Sequence, residues 1–394
     1  MPYSKYEKIL LLLTSVFCFS LAIFASDSFV PSLPAIAASL HASISVTKLT
    51  VTLYFLSLGI TPLIYGPVIN YIGSKKTLFI GFSLLFIGSI VCLASGSIST
   101  LIIGRIIQGS GAGACITVPR SLLPKYYQGK RLTQVASALA LIAAFVPAVA
   151  PVAGGYLQHA FGWHANFVMI LGLVIIAAML AYFNIKHDTP NQANNKITIK
   201  SIIKDYETEI CNWRFLLCPI ISGLAFLTVI TYITLTPFLF QTVLGYTPVQ
   251  YGHIALMISS GMIVGAILSR QLAHRVSSSK ALYVGGGLMF FGSACALIAA
   301  LIFKTSAISI ALPIFIILLG VQIITANTYS LAMHLTTNIA IASALIGFVQ
   351  LAGSGLLANG LSFITETNAI PMGACLTVIT LLNLFCIRLL AKQQ

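Results

Sequence analysis

The sequence predicts an all-α membrane protein with twelve transmembrane helices in two six-helix, pseudo-symmetric bundles. Apolar residues occupy 58% of the 394 positions and charged residues only 7%, whereas soluble domains carry about 25% charged residues. The mean hydropathy of +1.00 agrees with this class. A membrane-crossing helix needs about 20 apolar residues. Twelve runs of that kind occur, and one polar stretch divides them six and six.

In chain order, the runs are 9–30, 46–69, 76–97, 100–122, 133–157, 165–185, 214–240, 250–270, 280–303, 307–331, 338–363 and 369–390. The polar stretch 186–213 is predicted to be a cytoplasmic linker between an N-terminal bundle, 1–185, and a C-terminal bundle, 214–394. Run 9–30 follows Lys5 and Lys8, as in a signal peptide. No small-x-small cleavage site follows it and eleven further runs do, so we interpret it as a helix.

The net charge of +14 is explained by membrane orientation rather than by a nucleic-acid partner. If the N-terminus is cytoplasmic and the chain crosses twelve times, 18 of the 21 Lys and Arg residues lie on the cytoplasmic side. This is the positive-inside bias of membrane proteins. It predicts a multi-pass protein with both termini in the cytoplasm, with the lipid bilayer as its surroundings and no nucleic acid among its partners.

Asp27 is the one acidic residue that the sequence places inside a membrane run. The remaining acids of the seven lie near the N-terminus, in the polar stretch or between two late runs. A carboxylate within a membrane costs about 2.5–3.5 kcal/mol on insertion scales, so such a residue suggests function. The alternative is that the first helix is short and Asp27 already lies among the lipid headgroups.

Arg105 is the corresponding cation, in G-R-I-I-Q-G-S-G-A-G-A at 104–114. Helix rise places Asp27 about 28 Å beyond Lys8, and Arg105 about 8 Å below the outer boundary, so their depths agree within about 6 Å. Pairing is therefore geometrically possible. The alternative for Arg105 is that its side chain extends to the outer interface. Gly109, Gly111 and Gly113 reduce side-chain bulk and favour close helix packing.

Run 133–157 ends in P-A-V-A-P-V-A-G-G-Y-L, where Pro151 interrupts helix hydrogen bonding and Gly154 and Gly155 form a packing groove or pivot. Together with R-I-I-Q-G-S-G and the following F-G-W, this stretch resembles the major facilitator superfamily. D-S-F-V-P-S-L-P-A-I, T-P-F-L-F and A-S-A-L-I-G-F-V-Q resemble its Bcr/CflA-like drug-resistance transporters, which are twelve-helix drug/proton antiporters. The resemblance covers nearly the whole chain and implies a bacterial inner-membrane protein.

One loop departs from the pattern of that family. The family normally reads G-x-L-x-D-R-x-G-R-R/K, whereas residues 66–76 read G-P-V-I-N-Y-I-G-S-K-K. Gly66, Gly73 and Lys75 are kept, but the acid is replaced by Asn70. By resemblance, that acid makes charge contacts favouring the outward-facing state. Asn70 can still form hydrogen bonds, so this loop is either an altered latch or has simply drifted.

The mechanistic hypothesis is proton-coupled transport by alternating access. Burial raises the pKa of a carboxyl and a nearby cation lowers it, so a site whose surroundings alternate can load and release a proton. Asp27 is assigned as the proton carrier and Arg105 as the residue that tunes it. Aromatic, Met and amide side chains suit amphipathic ligands. The substrate-cavity candidates of these types are Phe24, Tyr54, Gln108, Tyr232, Phe238, Met262, Gln322, Asn327 and Gln350.

We therefore expect a monomeric exporter of small amphipathic compounds, acting in multidrug efflux and drug resistance and coupled to protons. The alternative is a dedicated metabolite or siderophore exporter, or an uptake permease, on the same scaffold. A membrane-embedded enzyme would need a membrane His or Lys near Asp27, and none is evident. A receptor would usually carry a sizeable soluble domain. The eight cysteines form no close pair, so we expect no metal. We also expect no cofactor, and the lack of a catalytic constellation leads us to expect no enzymatic activity.

Overall fold

The computed structural model describes residues 4–186, 207, 209–273, 275–302, 306–336, 339–364 and 368–392. The chain forms two compact units, Met1–Ala193 and Asn194–Gln394. Throughout the described residues the secondary structure is helical, and no strand occurs among them. The predicted fold class is confirmed. The predicted boundaries of the two bundles and of the linker remain predictions.

The helices of unit 1 follow the apolar runs closely. Serine side chains begin three of them: Ser4, Ser43 and Ser97 each accept a hydrogen bond from a backbone N–H of the first turn, as good N-caps do. The helices are α1 Lys5–Asp27, α2 Leu33–Ser39, α3 Ile44–Ile72, α4 Ser74–Leu93, α5 Ile98–Tyr126, α6 Gly129–Phe161 and α7 His164–Asn184.

Unit 2 contains α8 Trp213–Phe238, α9 Pro248–Ala273, α10 Ser278–Ile302, α11 Ala307–Leu335, α12 Ile339–Phe348, α13 Ser354–Ala358 and α14 Ile370–Ala391. Two wider π-helical turns interrupt it, Leu239–Val243 after α8 and Val349–Gly353 between α12 and α13. Turns of this kind frequently occur at functional sites. The predicted run 338–363 is therefore a series of short segments rather than one regular helix.

Eleven spans among the described residues are long and apolar enough to cross a membrane. The remaining predicted run, 133–157, corresponds to α6, which has 33 residues. Within unit 1, α5 packs against α1, α3 and α4, and within unit 2, α8 packs against α11, α13 and α14. These two helices place the polar side chains considered next.

The first run was predicted to reach about residue 30, and the structure places a break in the helix near that end. α1 ends at Asp27, a 3₁₀ turn covers Val30–Ser32, and α2 begins at Leu33. Pro31 and Pro34 are the second residues of the two new segments. Proline has no N–H to donate, and it disfavours helical geometry in the preceding residue. The membrane span Tyr6–Ser39 is therefore a broken helix.

Candidate functional site

The break in the first span lies in the interior of the protein. Asp27 is 4% exposed, and Ser26, Ser28, Phe29 and Ser32 are each 3% exposed or less. A helix end leaves its last carbonyl groups without intrahelical donors. Inside a membrane, these groups need partners from the protein. The end of α1 must therefore be satisfied by side chains from other helices.

Arg105 of α5 supplies the main partner. Its guanidinium Nη1 donates to the carbonyl of Ala25 at 3.0 Å, and its Nε donates to the carbonyl of Thr50 at 3.3 Å. The side chain is fully buried. Ala25 lies in the last turn of α1, where the helix dipole favours a positive charge. Arg105 therefore caps the broken helix and does not extend to the outer interface.

Two aromatic rings hold the guanidinium. Its Cζ lies 3.9 Å from the ring centroid of Phe29 and 4.0 Å from that of Tyr54, within the range of a cation–π contact. The hydroxyl of Tyr54 donates to the carbonyl of Ala22 at 2.9 Å. Tyr54, predicted to line a substrate cavity, thus also binds the end of α1.

Gln108 continues the polar cluster toward α4. Its Oε1 accepts a hydrogen bond from Arg105 Nη1, and its Nε2 donates to Ser89 Oγ at 2.8 Å. The Ser89 hydroxyl donates to the carbonyl of Leu85 at 2.7 Å. All three side chains are fully buried. We call Ser89, Gln108 and Arg105 the α4–α5 polar chain.

Asp27 is held by its neighbour in sequence. Ser26 Oγ lies 2.6 Å from Asp27 Oδ1 and 2.6 Å from the carbonyl oxygen of Ile23, and its one hydrogen can be donated to only one of them at a time. No ion pair within 4.0 Å joins Asp27 to Arg105, both of which the structure describes, whereas Lys186 and Glu7 pair at 2.8 Å. The two residues share the end of α1, since Arg105 binds the carbonyl two positions before Asp27. Their direct pairing remains a hypothesis.

Glycines bring the neighbouring helices close to this cluster. A Cβ atom on Gly109 would lie 2.6 Å from the carbonyl oxygen of Tyr54 in α3, and one on Gly111 would lie 2.8 Å from the Cα of Leu85 in α4. A Cβ on Gly154 of α6 would overlap the carbonyl of Ser28. Interfaces of small residues let helix backbones approach closely. The glycines of α5 and α6 are therefore packing positions around the helix break.

Gly113 behaves like these, since a Cβ there would overlap Thr61 Oγ1 on α3. Pro151 and Gly155 of α6 are also buried. Their predicted role in conformational change remains a prediction.

Two of the cavity candidates in unit 2, Tyr232 and Asn327, form hydrogen bonds with uncharged groups, and a third, Phe238, is buried. Tyr232 and Ser259 share a hydrogen bond of 2.8 Å between their hydroxyls. Asn327 Nδ2 donates to Ser269 Oγ at 3.1 Å and to the carbonyl of Ile323 at 2.8 Å. Phe238 is buried at 1% exposure. These side chains are already engaged within unit 2.

Four other candidates are more accessible. Met262 is 9% exposed, and Phe24, Gln322 and Gln350 are half-buried. Gln350 lies inside the π-helical turn Val349–Gly353. Of the predicted cavity residues, these four retain the most freedom to contact a ligand.

The loop between α3 and α4 keeps the geometry that its glycine requires. Gly73 has a φ of 87°, a left-handed conformation that favours glycine. Asn70 is exposed. Lys75 instead is buried: its Nζ donates to the carbonyl of Tyr182 at 2.7 Å and lies 4.9 Å from the Tyr182 ring centroid. A Cβ on Gly66 would meet no atom within 4 Å, so that glycine is not a close packing position.

Sequence reasoning missed three members of the site. Ser26, Phe29 and Ser89 contact Asp27, Arg105 and Gln108, respectively. Ser26 and Phe29 flank Asp27 in the sequence, so the run S-D-S-F carried a usable signal. Ser89 carried none, because a lone serine in an apolar helix usually bonds only to its own backbone.

Comparison with known proteins gives consistent results. The sequence profile described as Major Facilitator Superfamily matches residues 14–358. The chain is 28% identical over 381 residues to the uncharacterized MFS-type transporter YdgK of Bacillus subtilis, covering 93% of this chain and 92% of that one. It is 24% identical over 338 residues to the multidrug resistance protein MdtL of Escherichia coli, covering 84% and 82%.

A solved structure shares the fold. The D-xylose-proton symporter superposes with a TM-score of 0.79 at 13% identity, over 95% of this chain and 97% of that one. At this identity, the similarity concerns the fold alone.

Proposed function

Because this chain belongs to the major facilitator superfamily of membrane transporters, we propose that it is a proton-coupled exporter of small amphipathic compounds that works by alternating access. The observation that carries this proposal is the buried carboxyl of Asp27 at the broken end of α1. Within the described membrane spans, Asp27 is the one acid below 9% exposure. A buried ionisable group in a membrane is costly and is usually kept for function.

The surroundings of Asp27 suit reversible protonation. Its described side-chain partner is a neutral hydroxyl, that of Ser26, and the positive charge of Arg105 caps the same helix end. The neutral form of a carboxyl is favoured by apolar surroundings and the charged form by water or a nearby cation. A conformational change that alternates water access would therefore alternate the protonation state.

Energy considerations permit this coupling. One elementary charge that crosses 100 mV yields about 2.3 kcal/mol. A factor of ten in an equilibrium constant corresponds to about 1.4 kcal/mol. One proton per cycle through Asp27 therefore sustains a gradient of more than tenfold in a neutral exported compound. Exchange of one proton for a monovalent cation moves no net charge, so the pH gradient alone drives it.

The substrate class rests on the relatives and on the accessible candidates. MdtL of Vibrio parahaemolyticus, 26% identical over 277 residues, is named a multidrug resistance protein. Phe24, Met262, Gln322 and Gln350 offer aromatic, thioether and amide groups, which suit amphipathic molecules. We place the transporter in a bacterial inner membrane as a monomer with both termini in the cytoplasm.

Transport by purified protein in liposomes tests the proposal. Ethidium, a planar aromatic cation, serves as the probe, and an imposed pH gradient drives its movement. Asp27→Asn should reduce proton-driven transport by at least about tenfold, while ethidium exchange without a gradient continues. Glu207→Gln is the matched control, because Glu207 is an exposed acid outside the spans. Full proton-driven transport by Asp27→Asn would refute the proposal.

The same liposomes separate the alternative role. A panel of metabolites, siderophores included, is compared with the amphipathic dyes. Transport of one metabolite and of no dye would identify a dedicated carrier. Movement of a compound together with protons, rather than against them, would identify an uptake permease.

A further inference from the structure

Gln108 has a different role from the one that its sequence position suggests. We propose that Gln108, fixed by Ser89, is a positioning residue that orients Arg105 on the broken end of α1 and is not part of the substrate-binding surface. This inference depends on the proposed function in one respect: one of its tests measures proton-driven transport. The orientation of Gln108 against Arg105 depends only on the hydrogen bonds of the α4–α5 polar chain.

The direction of these bonds fixes the orientation of the Gln108 amide. A serine hydroxyl has one hydrogen to donate, and Ser89 gives it to the carbonyl of Leu85. Ser89 can therefore only accept from Gln108, so Nε2 must face Ser89 and Oε1 must face Arg105. With the amide reversed, an NH₂ group would face the guanidinium, and two donors would oppose each other. α4 thus determines which atom of Gln108 meets Arg105.

This acceptor completes the restraint on Arg105. A guanidinium has five N–H donors. Nε uses its one donor on Thr50, and Nη1 uses its two on Ala25 and Gln108. The rings of Phe29 and Tyr54 both pack against the group, with centroids 3.9 and 4.0 Å from Cζ. These contacts fix the plane and the direction of the guanidinium. Its buried Nη2 edge alone makes no hydrogen bond.

The packing around Gln108 leaves no room for a ligand. The side chain is fully buried, and both of its polar ends are engaged. A Cβ atom on Gly88 of α4 would lie 2.8 Å from the Cα of Gln108, so the two helices touch here. Gln108 lies three positions after Arg105 on α5 and shares its helix face. It is therefore suited to supporting Arg105 and not to contacting a substrate.

Two substitutions test the inference, each with a matched control. Gln108→Ala removes the acceptor for Arg105, and Ser89→Ala removes the acceptor that holds Gln108 Nε2 in place. Gln158→Ala is the control for the first, since Gln158 Oε1 on α6 has no hydrogen-bond partner. Ser83→Ala is the control for the second. Ser83 is exposed on the same helix, and its hydroxyl donates to the backbone carbonyl of Phe79 one turn earlier.

Three readouts are compared in detergent and liposomes: the ¹⁵N resonances of the Arg105 guanidinium, the pH dependence of proton-driven ethidium transport, and the Kd of ethidium without a gradient. The titratable groups that face Arg105 are Asp27 on α1, Tyr54 on α3 and Cys92 on α4. Of these types, only an Asp ordinarily titrates below pH 7. A change in the acid limb of the profile therefore reports on Asp27.

Both test variants should shift the Arg105 resonances and the pH profile, as Arg105→Lys does, while the ethidium Kd stays within about twofold, or about 0.4 kcal/mol. The controls should match the wild type. Unchanged Arg105 resonances in folded Ser89→Ala would overturn the inference. So would a Kd raised by about tenfold with an unchanged pH profile, since that marks a substrate contact. If Asp27→Asn transports normally, the proposed function fails, but the resonances still decide the role of Gln108.

Discussion

The two units satisfy their buried polar groups in different ways. Unit 1 buries four charged side chains within its spans, Asp27, Lys48, Lys75 and Arg105, each 9% exposed or less. In unit 2, Glu209 is also buried, but it lies outside the spans. The buried polar residues in the described spans of unit 2 are all Ser, Thr or Asn. Since a membrane penalises ions far more than neutral groups, unit 1 bears a cost that unit 2 avoids.

Each unit also contains an interrupted helix, and the partners differ again. In unit 1, the guanidinium of Arg105 binds the carbonyl of Ala25 at the end of α1. In unit 2, the Ser354 hydroxyl, just after the π-helical turn, donates to the carbonyl of Gly223 in α8 at 2.7 Å. Gly223 lies inside the continuous helix α8, so this hydroxyl adds a second donor to an intrahelical carbonyl. Arg105 instead serves a carbonyl in the last turn of α1. The proposed proton coupling gives the cation at that helix end an electrical role.

The largest expected effect comes from removing the cation. Arg105→Met leaves the Ala25 carbonyl and Gln108 Oε1 without donors, at about 1–3 kcal/mol each, and should reduce proton-driven transport by at least about tenfold. Asn383→Leu is the unit 2 counterpart, since Asn383 Nδ2 donates to the carbonyl of Ile221 at 2.8 Å. It should cost only about 1 kcal/mol. Thermal unfolding in detergent measures both, and equal losses would remove the distinction between the units.

The next effect comes from packing at the helix break. Gly154→Ala places a methyl group on the carbonyl of Ser28, where backbone must move. Overpacking typically costs about 1–3 kcal/mol. Gly172→Ala on α7 is the control, because no atom lies within 4 Å of the added methyl group. A lowered Tm for Gly154→Ala alone is expected. Equal Tm values would mean that α6 does not hold the break in place.

A smaller effect is expected at the loop between α3 and α4. Lys75→Met removes the hydrogen bond to the carbonyl of Tyr182 near the end of α7, at about 1 kcal/mol. Lys76→Met is the matched control, since Lys76 is exposed. The difference in Tm between the two variants measures the contact. If the control is the less stable protein, Lys75 contributes nothing to unit 1.

The last substitution is expected to leave proton-driven transport unchanged. Asn383→Asp introduces a buried carboxyl into unit 2, at an insertion cost of about 2.5–3.5 kcal/mol. No cation is buried in the part of unit 2 that the structure describes. In an Asp27→Asn background, the change should therefore restore no proton-driven transport, measured per inserted molecule. Recovery of transport would show that either unit can carry the coupling.

The membrane spans and the anomalous residues were predictable from the sequence. The apolar runs match the helices within a few residues, because hydrophobicity is a local property and a membrane needs about 20 apolar residues per crossing. Asp27 and Arg105 were identified for the same reason, as costly exceptions. Lys48, in contrast, was not identified as anomalous from the sequence, and the structure buries it at 1% exposure.

The bonding within the site was not predictable. The sequence indicated a match in depth between Asp27 and Arg105, but the structure gives Asp27 a serine and Arg105 a helix end. Gln108 was predicted to face a substrate, yet Ser89 and Arg105 engage both ends of its amide. These partners lie on different helices, so no local pattern encodes them.

The sequence by itself determined that this is a polytopic α-helical protein, where its spans lie, and which two charges are anomalous within them, because hydropathy and insertion cost depend on each residue and its neighbours. Only the tertiary structure decided which carbonyl is freed by the break in α1, and which side chain 80 positions away reaches it. Helix ends must find donors inside a membrane, and the donor available depends on which helices pack together.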